Sequence, residues 1–423
     1  MRLLLLAVLL AAATLAPSAR AQLPSSSPES QGLSSDRLAR IAPAMKNEID
    51  KGTMPGAVTL IARNGRIVHF EAHGWLDNGK TRPMPKDAVF RGFSMTKPFV
   101  SVAAMMLVEQ GRFQLRDPVT DFLPELKDMR VIVEKRDASG TVTRDTEPAA
   151  RPITIQDLLR HTSGFTYSGS APFPEIREAY TKLDIESRET DVSPEEFMQR
   201  VGSVPLAYQP GTRWEYGIST DVLGVVLERA TGKPLHVLLD EMIFRPLKMK
   251  DTSFQVTPEQ MPRLADAYDA DPQKVSLWKM ARVEADPAKR YRLGGGGSVT
   301  TAGDYVRFAQ MMLNGGELEG VRLLSKKTVE YMLSDHIPGL AGTPAPTTGP
   351  GYGFGLGFGV RRQDGFAIAP GSTGDAMWAG AGGTSFTIDP KEKLVGVFMA
   401  AAPTPRLHTR NLFKNLIYGA VVK

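Results

Sequence analysis

The chain has 423 residues, a formal net charge of +5 and no cysteine. A chain of this length can bury a large core as one domain or as two halves, and the lack of cysteine excludes disulfides and thiolate metal sites. Basic residues are interspersed with acidic ones and form no cluster, which argues against a nucleic-acid partner.

Residues 1–21 have the pattern of a secretory signal peptide. Arg2 precedes an apolar run, and the segment ends in small residues at Ala19–Ala21. We therefore expect cleavage after Ala21, export to the periplasm or beyond the cell, and no stable membrane insertion afterwards. An uncleaved anchor is less favoured, because the apolar run is short for a membrane span.

The mature chain is predicted to begin with a helix and a hairpin. Ser34 or Ser35 can cap a helix that ends near Gly52, and two β-branched runs then flank Asn64–Gly65. Asn-Gly between apolar runs is typical of a tight hairpin turn. A second apolar helix is predicted within Arg91–Gly111.

Ser94 and Lys97 open that second helix. Residues three apart share a helix face, and a lysine shielded from water can lose its proton and activate a serine hydroxyl. A serine that only caps the helix would explain Ser94 equally well. Pro98 lacks a backbone donor, so we expect Ser94 at the very start of the helix. The same spacing at Ser276 and Lys279 follows a broken acidic stretch and is interpreted as a chance match.

Residues 116–290 are predicted to form a mostly helical subdomain, inserted into an α/β half made of residues 22–115 and 291–423. Turns are expected in Asp128–Pro152, because this stretch is dense in charges and turn formers. The best helices of the insertion are a short one that stops at Gly164, and Pro194–Val201, Ser219–Ala230 and Leu235–Ile243.

The C-terminal part begins with a run of four glycines at 294–297, which suggests a close approach of backbones. A helix from Thr301 or Asp304 to Leu313 should follow it. Strands are predicted next, and a final helix at Leu407–Val421 should pack on the sheet. The predicted strands cover residues 354–360, 366–370, 383–389 and 394–400.

Two further motifs are individually weak. Tyr216 precedes a predicted helix, where a tyrosine beside a glycine is more often a packing residue. The glycine-dense segment around Trp378, Ala379 and Gly380 offers backbone N–H groups, although glycines between strands usually make turns. Neither motif alone predicts an active site.

In order, however, Ser94-Met95-Thr96-Lys97, Tyr216-Gly217-Ile218 and Trp378-Ala379-Gly380 resemble the penicillin-recognising serine hydrolases. These include class C β-lactamases, D-alanyl-D-alanine carboxypeptidases and family VIII carboxylesterases. The resemblance runs from about Leu33 to the C-terminus. It implies a β-lactamase/transpeptidase-like α/β fold, with an antiparallel sheet flanked by helices.

The resemblance also implies roles for individual residues. Ser94 would be the acylated nucleophile, Lys97 its hydrogen-bonded partner and Tyr216 the proton shuttle to the leaving group. The backbone N–H groups of Ser94 and Ala381 would form the oxyanion hole. Whether Lys97 or Tyr216 is the resting base stays open, because the two titrations are coupled. The resemblance further implies that the substrate is contacted by Ile218, Trp378, Ala379 and Gly380.

Two departures from the β-lactamase pattern bear on the substrate. Ile218 stands where β-lactamases have Asn, and Trp378 stands where they have Lys. A lost charge-assisted hydrogen bond costs about 1.5–3 kcal/mol. We therefore expect a small neutral ester as substrate and a carboxylesterase or related acyltransferase, with β-lactam turnover as a side activity at most.

Two further hypotheses stay open at this point. One is a β-lactamase or D-Ala-D-Ala carboxypeptidase, which would act on an amide substrate. The other is a non-catalytic module that binds a cell-wall ligand. The presence of Ser94, Lys97 and Tyr216 together favours an enzyme over a binding module.

Metal-dependent and α/β-hydrolase chemistry have little support in the sequence. There is no G-x-S-x-G elbow, and the histidines show no H-E-x-x-H spacing, so no metal or organic cofactor is expected. His161 is predicted to satisfy carbonyls at a helix end. The walls of the cleft are expected from Phe165–Ile185 and Ala341–Tyr352. The sequence does not indicate the oligomeric state.

Overall fold

The computed structural model describes residues 22–186, 192–270 and 292–423. The predicted signal peptide, with the Ser276 and Lys279 pair, lies outside these residues. Within the described ranges, no helix has both the length and the apolar character needed to cross a membrane.

A seven-stranded antiparallel sheet forms the framework, and its strands come from both ends of the chain. In spatial order they are β2 (Arg66–Gly74), β1 (Gly56–Arg63), β13 (Leu394–Ala400), β12 (Ser385–Asp389), β11 (Ala376–Ala379), β10 (Gly359–Arg361) and β9 (Tyr352–Phe354). The small ladders are β3 (Phe90–Arg91) with β6 (Val299–Thr300), β4 (Arg130–Arg136) with β5 (Val142–Pro148), and β7 (Glu317–Leu318) with β8 (Val321–Arg322).

Helices cover both faces of this sheet and form most of the remaining structure. In chain order they are α1 (Ser35–Leu38), α2 (Ile41–Asp50), α3 (Lys97–Glu109), α4 (Ile155–Leu159), α5 (Pro174–Lys182), α6 (Pro194–Gly202), α7 (Ser219–Thr231), α8 (Leu235–Leu239), α9 (Ala302–Leu313), α10 (Lys326–Met332), α11 (Ala345–Thr348) and α12 (Arg406–Gly419). A π-helical turn, Asp240–Phe244, continues α8. The fold is thus the predicted α/β arrangement with a helical portion.

The sheet separates two apolar clusters. On its outer face, α1, α2 and α12 pack against β1 and β13. On its inner face, α9 packs against β12 and β13, and α3 lies beyond α9. Phe99 of α3 meets Phe244 and Phe308 edge to face, with ring centroids 5.1 and 4.7 Å apart. Because α3 is buried along most of its length, the residues that open it are held in place.

Several predicted elements are found. Asn64 and Gly65 both have positive φ, 52° and 75°, as the predicted hairpin turn requires. Ser34 caps α1 by accepting a hydrogen bond from the Arg37 N–H. The single helix predicted after Ser34 is divided into α1 and α2. The predicted last helix is α12 and lies on the sheet.

Other predictions are wrong in detail. Residues 366–370 form no strand: Phe366 and Ile368 are 62% and 58% exposed, and Pro370 has no N–H for a ladder. Residues 354–360 contain the β9–β10 hairpin instead of one strand.

The strand regions that were missed include β11 and the β4–β5 hairpin. β11 has the sequence AMWA, in which alanine gives little strand signal. The β4–β5 hairpin lies where turns were predicted, in residues 128–152. Its side chains are charged and mostly exposed, so the sequence shows no clear strand pattern there. The inserted region is therefore not helical throughout.

Candidate active site

Ser94 lies on a single 3₁₀ turn, Phe93–Thr96, and α3 begins immediately after it at Lys97. Pro98 falls in the first turn of α3, where a missing N–H costs nothing. The Ser94 side chain does not cap the helix, so the capping hypothesis is wrong. Phe93 has φ 46°, a strained value for a bulky residue, directly before Ser94.

The turn is held from one side by Ser298. The Gly92 N–H donates to the Ser298 carbonyl at 2.7 Å, and the Thr96 and Ser298 hydroxyls are also 2.7 Å apart. A Cβ on Gly92 would lie 2.7 Å from Ser298 Oγ, so only glycine allows this contact. These bonds fix the position of Ser94 between β3 and α3.

Two side chains reach the Ser94 hydroxyl. The Tyr216 hydroxyl donates a hydrogen bond to Ser94 Oγ at 2.6 Å, and Lys97 Nζ donates to the same oxygen at 3.3 Å. The structure therefore brings together the three residues predicted as the catalytic set. A serine oxygen between a phenol and an amine can exchange its proton with either.

Lys97 is 1% exposed and has two further acceptors. Its Nζ donates to the Tyr167 hydroxyl at 3.0 Å and to the Gly295 carbonyl at 2.7 Å. With Ser94 Oγ these make three acceptors, which matches the three N–H donors of an ammonium group. Tyr167 lies in the cleft wall expected at Phe165–Ile185, but its bond to Lys97 was not predicted, because no spacing marks a tyrosine in the loop after α4.

The glycine run lies against α7, in agreement with the close backbone approach that the sequence suggested. The Gly295 N–H donates to Asp221 Oδ1 at 2.9 Å. A Cβ on Gly295 would lie 2.2 Å from Asp221 Oδ2, and a Cβ on Gly294 would lie 2.6 Å from the Thr220 carbonyl oxygen. The absence of side chains lets the Gly295 carbonyl reach Lys97.

Tyr216 is positioned by close backbone packing and by aromatic neighbours. A Cβ on Gly217 would lie 2.5 Å from Thr166 Cα, so this glycine lets the Tyr216 loop sit against the Tyr167 loop. The Tyr216 ring meets the rings of Tyr167 and Trp378 edge to face, each with centroids 5.3 Å apart. The phenol is thus confined on two sides.

The side chains predicted to contact substrate are buried beside the site. Trp378 is fully buried, and Ile218 is 2% exposed and belongs to the core. Ala379, at 5% exposed, is also buried. These residues form the wall behind Tyr216, and their contact with substrate stays a prediction.

The loop after β11 does lie beside the nucleophile turn. A Cβ on Gly380 would lie 2.4 Å from the Gly92 carbonyl oxygen. The N–H of the next residue, Ala381, donates no hydrogen bond to any residue in the described ranges. Its backbone N–H therefore remains a candidate for the oxyanion hole, together with that of Ser94.

Ala341 belongs to a predicted cleft wall, and its carbonyl accepts a hydrogen bond from the Trp214 N–H at 2.8 Å.

The backbone N–H of His161 donates to the Leu158 carbonyl at 3.4 Å, but its side-chain Nδ1 bonds to no carbonyl within the described residues, so the predicted role of the side chain is not seen for that atom. Helix α4 ends at Leu159, before the predicted stop, and His161 has φ 57° and is 1% exposed. Its ring centroid lies 5.0 Å from that of Tyr216, and its Nδ1 has no hydrogen-bond partner in the described part of the chain. Burial, with the nearby Lys97 charge, holds the pKa of His161 well below its usual range.

A possible metal-ligand set lies away from this site, which the histidine spacing did not predict. His69, Glu71 and His73 share one face of β2, with ligand atoms within 4.8 Å of one another. Both imidazole Nε2 atoms hydrogen bond to Thr59 Oγ1, at 2.7 and 2.9 Å. Burial lowers the pKa of each histidine to about 4. A metal would have to displace the Thr59 bonds, so we describe this group as a hydrogen-bonded cluster.

The fold and the site together define a class of protein: a serine hydrolase whose serine hydroxyl is paired with a lysine and a tyrosine beside an antiparallel sheet. The family follows from comparison with known proteins. A family model described as Beta-lactamase matches residues 39–418, so the chain belongs to that family.

Named relatives and solved structures agree with this assignment. The chain is 35% identical over 370 residues to Protein Rv1367c of Mycobacterium tuberculosis, covering 84% of this chain and 88% of that protein. It is 32% identical over 369 residues to Esterase EstB of Burkholderia gladioli, covering 83% and 87%. The solved structure of EstCE1, "a hydrolase with promiscuous acyltransferase activity", superimposes with a TM-score of 0.74 at 27% identity, covering 92% and 99%.

Proposed function

We propose that this protein is a carboxylesterase that hydrolyses small neutral esters through an acyl-enzyme on Ser94. The observation that carries the proposal is the Ser94 hydroxyl, 2.6 Å from the Tyr216 hydroxyl and 3.3 Å from Lys97 Nζ. Similarity to Esterase EstB supports the same reaction class.

In the proposed reaction, Ser94 Oγ attacks the ester carbonyl carbon while its proton passes to the oxygen of Tyr216, which reacts as a phenolate beside the Lys97 ammonium. The N–H groups of Ser94 and Ala381 stabilise the negative charge that develops on the carbonyl oxygen. Tyr216 then protonates the departing alkoxide, which leaves as the alcohol. Water attacks the acyl-enzyme, the acid leaves, and the proton returns to Ser94.

We assign the proton exchange to Tyr216 rather than to Lys97. The three acceptors around Lys97 Nζ suit a charged ammonium, which has no lone pair to accept a proton. Lys97 then acts as a buried cation that stabilises negative charge on the oxygens of Ser94 and Tyr216. The sequence alone left this choice between the two residues open.

Neutral esters are favoured over β-lactams by the side chains of the second and third motifs. Trp378 and Ile218 are buried apolar side chains at the positions where β-lactamases have a cation and an amide. A β-lactam carboxylate would therefore lack its usual partner at this strand. We propose that β-lactam turnover is at most a side activity.

Kinetics on two chromogenic substrates test the proposal. We expect p-nitrophenyl butyrate to be cleaved much faster than nitrocefin, with a butyryl adduct on Ser94 detected by mass spectrometry. Ser94→Ala should abolish both the cleavage and the adduct. Fast nitrocefin hydrolysis without ester cleavage would instead favour a β-lactamase or carboxypeptidase.

An acyltransferase and a non-catalytic binding module would each give a distinct result. Transfer of the butyryl group to an added alcohol in preference to water would make the protein an acyltransferase, the activity that the EstCE1 title also mentions. A wild-type protein that neither reacts with a fluorophosphonate probe nor cleaves esters would favour a ligand-binding module.

We also propose that residues 1–21 direct export and are removed after Ala21. The support is the sequence pattern of that segment. N-terminal sequencing of protein recovered from the periplasm or the medium should give Gln22 as the first residue. Recovery of the intact chain from the cytoplasm alone would contradict this.

A further inference from the structure

Lys97 is a buried cation whose three hydrogen-bond acceptors are uncharged groups. They are the hydroxyls of Ser94 and Tyr167 and the carbonyl of Gly295, and Lys97 itself is 1% exposed. Lys97 forms no ion pair with a residue of the described ranges. A buried ammonium is costly unless a negative charge lies close to it. A carboxylate near Lys97 would therefore stabilise the charged site.

The carboxylate of Asp221 lies directly against Gly295, the residue whose carbonyl binds Lys97. Asp221 Oδ1 accepts a hydrogen bond from the Gly295 N–H at 2.9 Å, and the Gly295 carbonyl accepts one from Lys97 Nζ at 2.7 Å. A Cβ on Gly295 would lie 2.2 Å from Asp221 Oδ2, so only glycine allows this approach. Asp221 is 2% exposed. A single glycine therefore connects a buried carboxylate with a buried ammonium.

Asp221 is the third residue of α7, and the third residue of α4 provides a comparison. In α4 this residue is Asp157, whose side chain accepts a hydrogen bond from the N–H of the capping residue, Thr154. In α7 the residue at the capping position is Ile218, and no side chain caps the helix there. The Asp221 carboxylate bonds to Gly295, outside the helix. The position of Asp221 therefore serves the contact with the glycine run.

Other titratable side chains near Lys97 do not take this role. Burial, with the Lys97 charge, holds the pKa of His161 well below its usual range, so the imidazole is neutral at neutral pH. Tyr167 and Tyr216 present hydroxyl groups to the site. Glu215 precedes Tyr216 but lies beside Arg213, with its Oε2 3.8 Å from Arg213 Nε. Asp221 is therefore the candidate for the negative charge.

We propose that Asp221 is a positioning residue of the active site and acts on Lys97 through Gly295. Its hydrogen bond holds the glycine with the carbonyl toward Lys97 Nζ, and its charge favours the ammonium form of the lysine. Asp221 does not touch the reacting atoms. The inference rests on the proposed reaction, in which Lys97 is the cation beside Tyr216.

The pH dependence of kcat/KM for p-nitrophenyl butyrate tests this role. In Asp221→Asn the amide oxygen can still accept from the Gly295 N–H, but the charge is gone. Lys97 should then lose its proton at a lower pH, so we expect the alkaline limb of the profile to move down by about one pH unit. That shift is about a tenfold loss of kcat/KM at a fixed pH on the limb. A purely structural role would lower the melting temperature or kcat and leave the limb in place.

Two further variants separate the charge from other effects of substitution. Asp221→Ser also lacks the charge but is smaller, and it should move the alkaline limb by the same amount. Asp389→Asn removes a fully buried carboxylate that bonds to Tyr418 of α12, and it should leave the limb in place. An unchanged limb in the two neutral Asp221 variants would overturn the inference.

A fluorophosphonate probe gives a second readout that does not need ester hydrolysis. Its rate of reaction with Ser94, measured against pH, should show the same shift in Asp221→Asn. A wild type that reacts with the probe but does not cleave the ester would contradict the esterase proposal alone, and the labelling profile would then decide the role of Asp221. A wild type that neither cleaves the ester nor reacts with the probe would overturn both proposals.

Discussion

Lys97 Nζ lies closer to the Tyr167 hydroxyl than to Ser94 Oγ, 3.0 against 3.3 Å. The lysine is therefore held by a residue outside the three motifs that mark the site in the sequence. Tyr167 also meets the Tyr216 ring edge to face, so one side chain supports both partners of the serine.

Tyr167→Phe should lower kcat/KM for p-nitrophenyl butyrate about tenfold, because Lys97 loses a hydrogen-bond acceptor but keeps its charge and its other contacts. Tyr216→Phe removes the proton-exchanging hydroxyl and should cost a further ten- to a hundredfold, within the 10²–10⁴ expected for acid–base catalysis. Steady-state kinetics on both variants provide the comparison. Equal losses would show that Tyr167 and Tyr216 are equivalent, contrary to the proposal.

Gly217→Ala should disrupt the site without touching a reacting group. The new Cβ would lie within 2.5–2.7 Å of Thr166 backbone atoms, so the Tyr216 loop must shift. We expect a large loss of kcat and a lower melting temperature. Gly169→Ala is the matched control in the same region, because its Cβ would meet nothing within 4 Å. Full activity in Gly217→Ala would contradict the packing argument.

Glu228 should make the stability depend on pH. Burial raises its pKa from 4.5 to about 7 in the folded protein. The folded state therefore binds the proton more tightly, so the stabilisation is fully present below pH 4.5 and is lost as the pH rises through about 7. The glutamine side chain in Glu228→Gln cannot ionise, but its amide oxygen can still accept a hydrogen bond from the Leu235 N–H.

Denaturant titrations at several pH values measure this effect. The free energy of unfolding of wild type, relative to Glu228→Gln, should fall by about 1–3 kcal/mol between about pH 5 and pH 8. Glu330→Gln removes an exposed carboxylate of α10 and should give no such difference. A flat difference curve for Glu228→Gln would refute the assignment.

Asp375→Asn should destabilise the outer face of the sheet. Asp375 is fully buried, pairs with Arg361 and Lys414, and accepts a hydrogen bond from the Tyr352 hydroxyl at 2.7 Å. Removing its charge takes the ion-pair partner from both Arg361 and Lys414, which costs about 3–5 kcal/mol. Chemical denaturation measures the change. Asp50→Asn breaks an exposed pair with Lys46 and should cost under about 1 kcal/mol.

Much of the fold and the core of the site could be predicted because their signals are local. The Asn64–Gly65 turn, the spacing of Ser94 and Lys97, and the glycine run before α9 each carry a short-range physical reason. Tyr216 could be predicted as a catalytic residue only from the order of the three motifs, since a tyrosine beside a glycine does not by itself indicate a catalytic role. Those features depend little on where the rest of the chain lies.

The missed features depend on distant contacts. Tyr167 gains its role only because its loop approaches Lys97 in three dimensions. The burial of Ile218 and Trp378 is set by the packing of α7 and β11, which no sequence spacing indicates. β11 is rich in alanine and becomes a strand only because β10 and β12 pair with it.

The pairing of β1 with β13, with Ala57 opposite Ala400, has a consequence for biosynthesis. β1 leaves the ribosome long before its partner β13, so the central ladder cannot close until the long intervening chain has been made. Long-range pairing of this kind is slow and leaves strand edges open in the meantime. The newly made chain should therefore depend on chaperones that cover β1, and truncation before Leu394 should leave an insoluble polypeptide rather than a smaller enzyme.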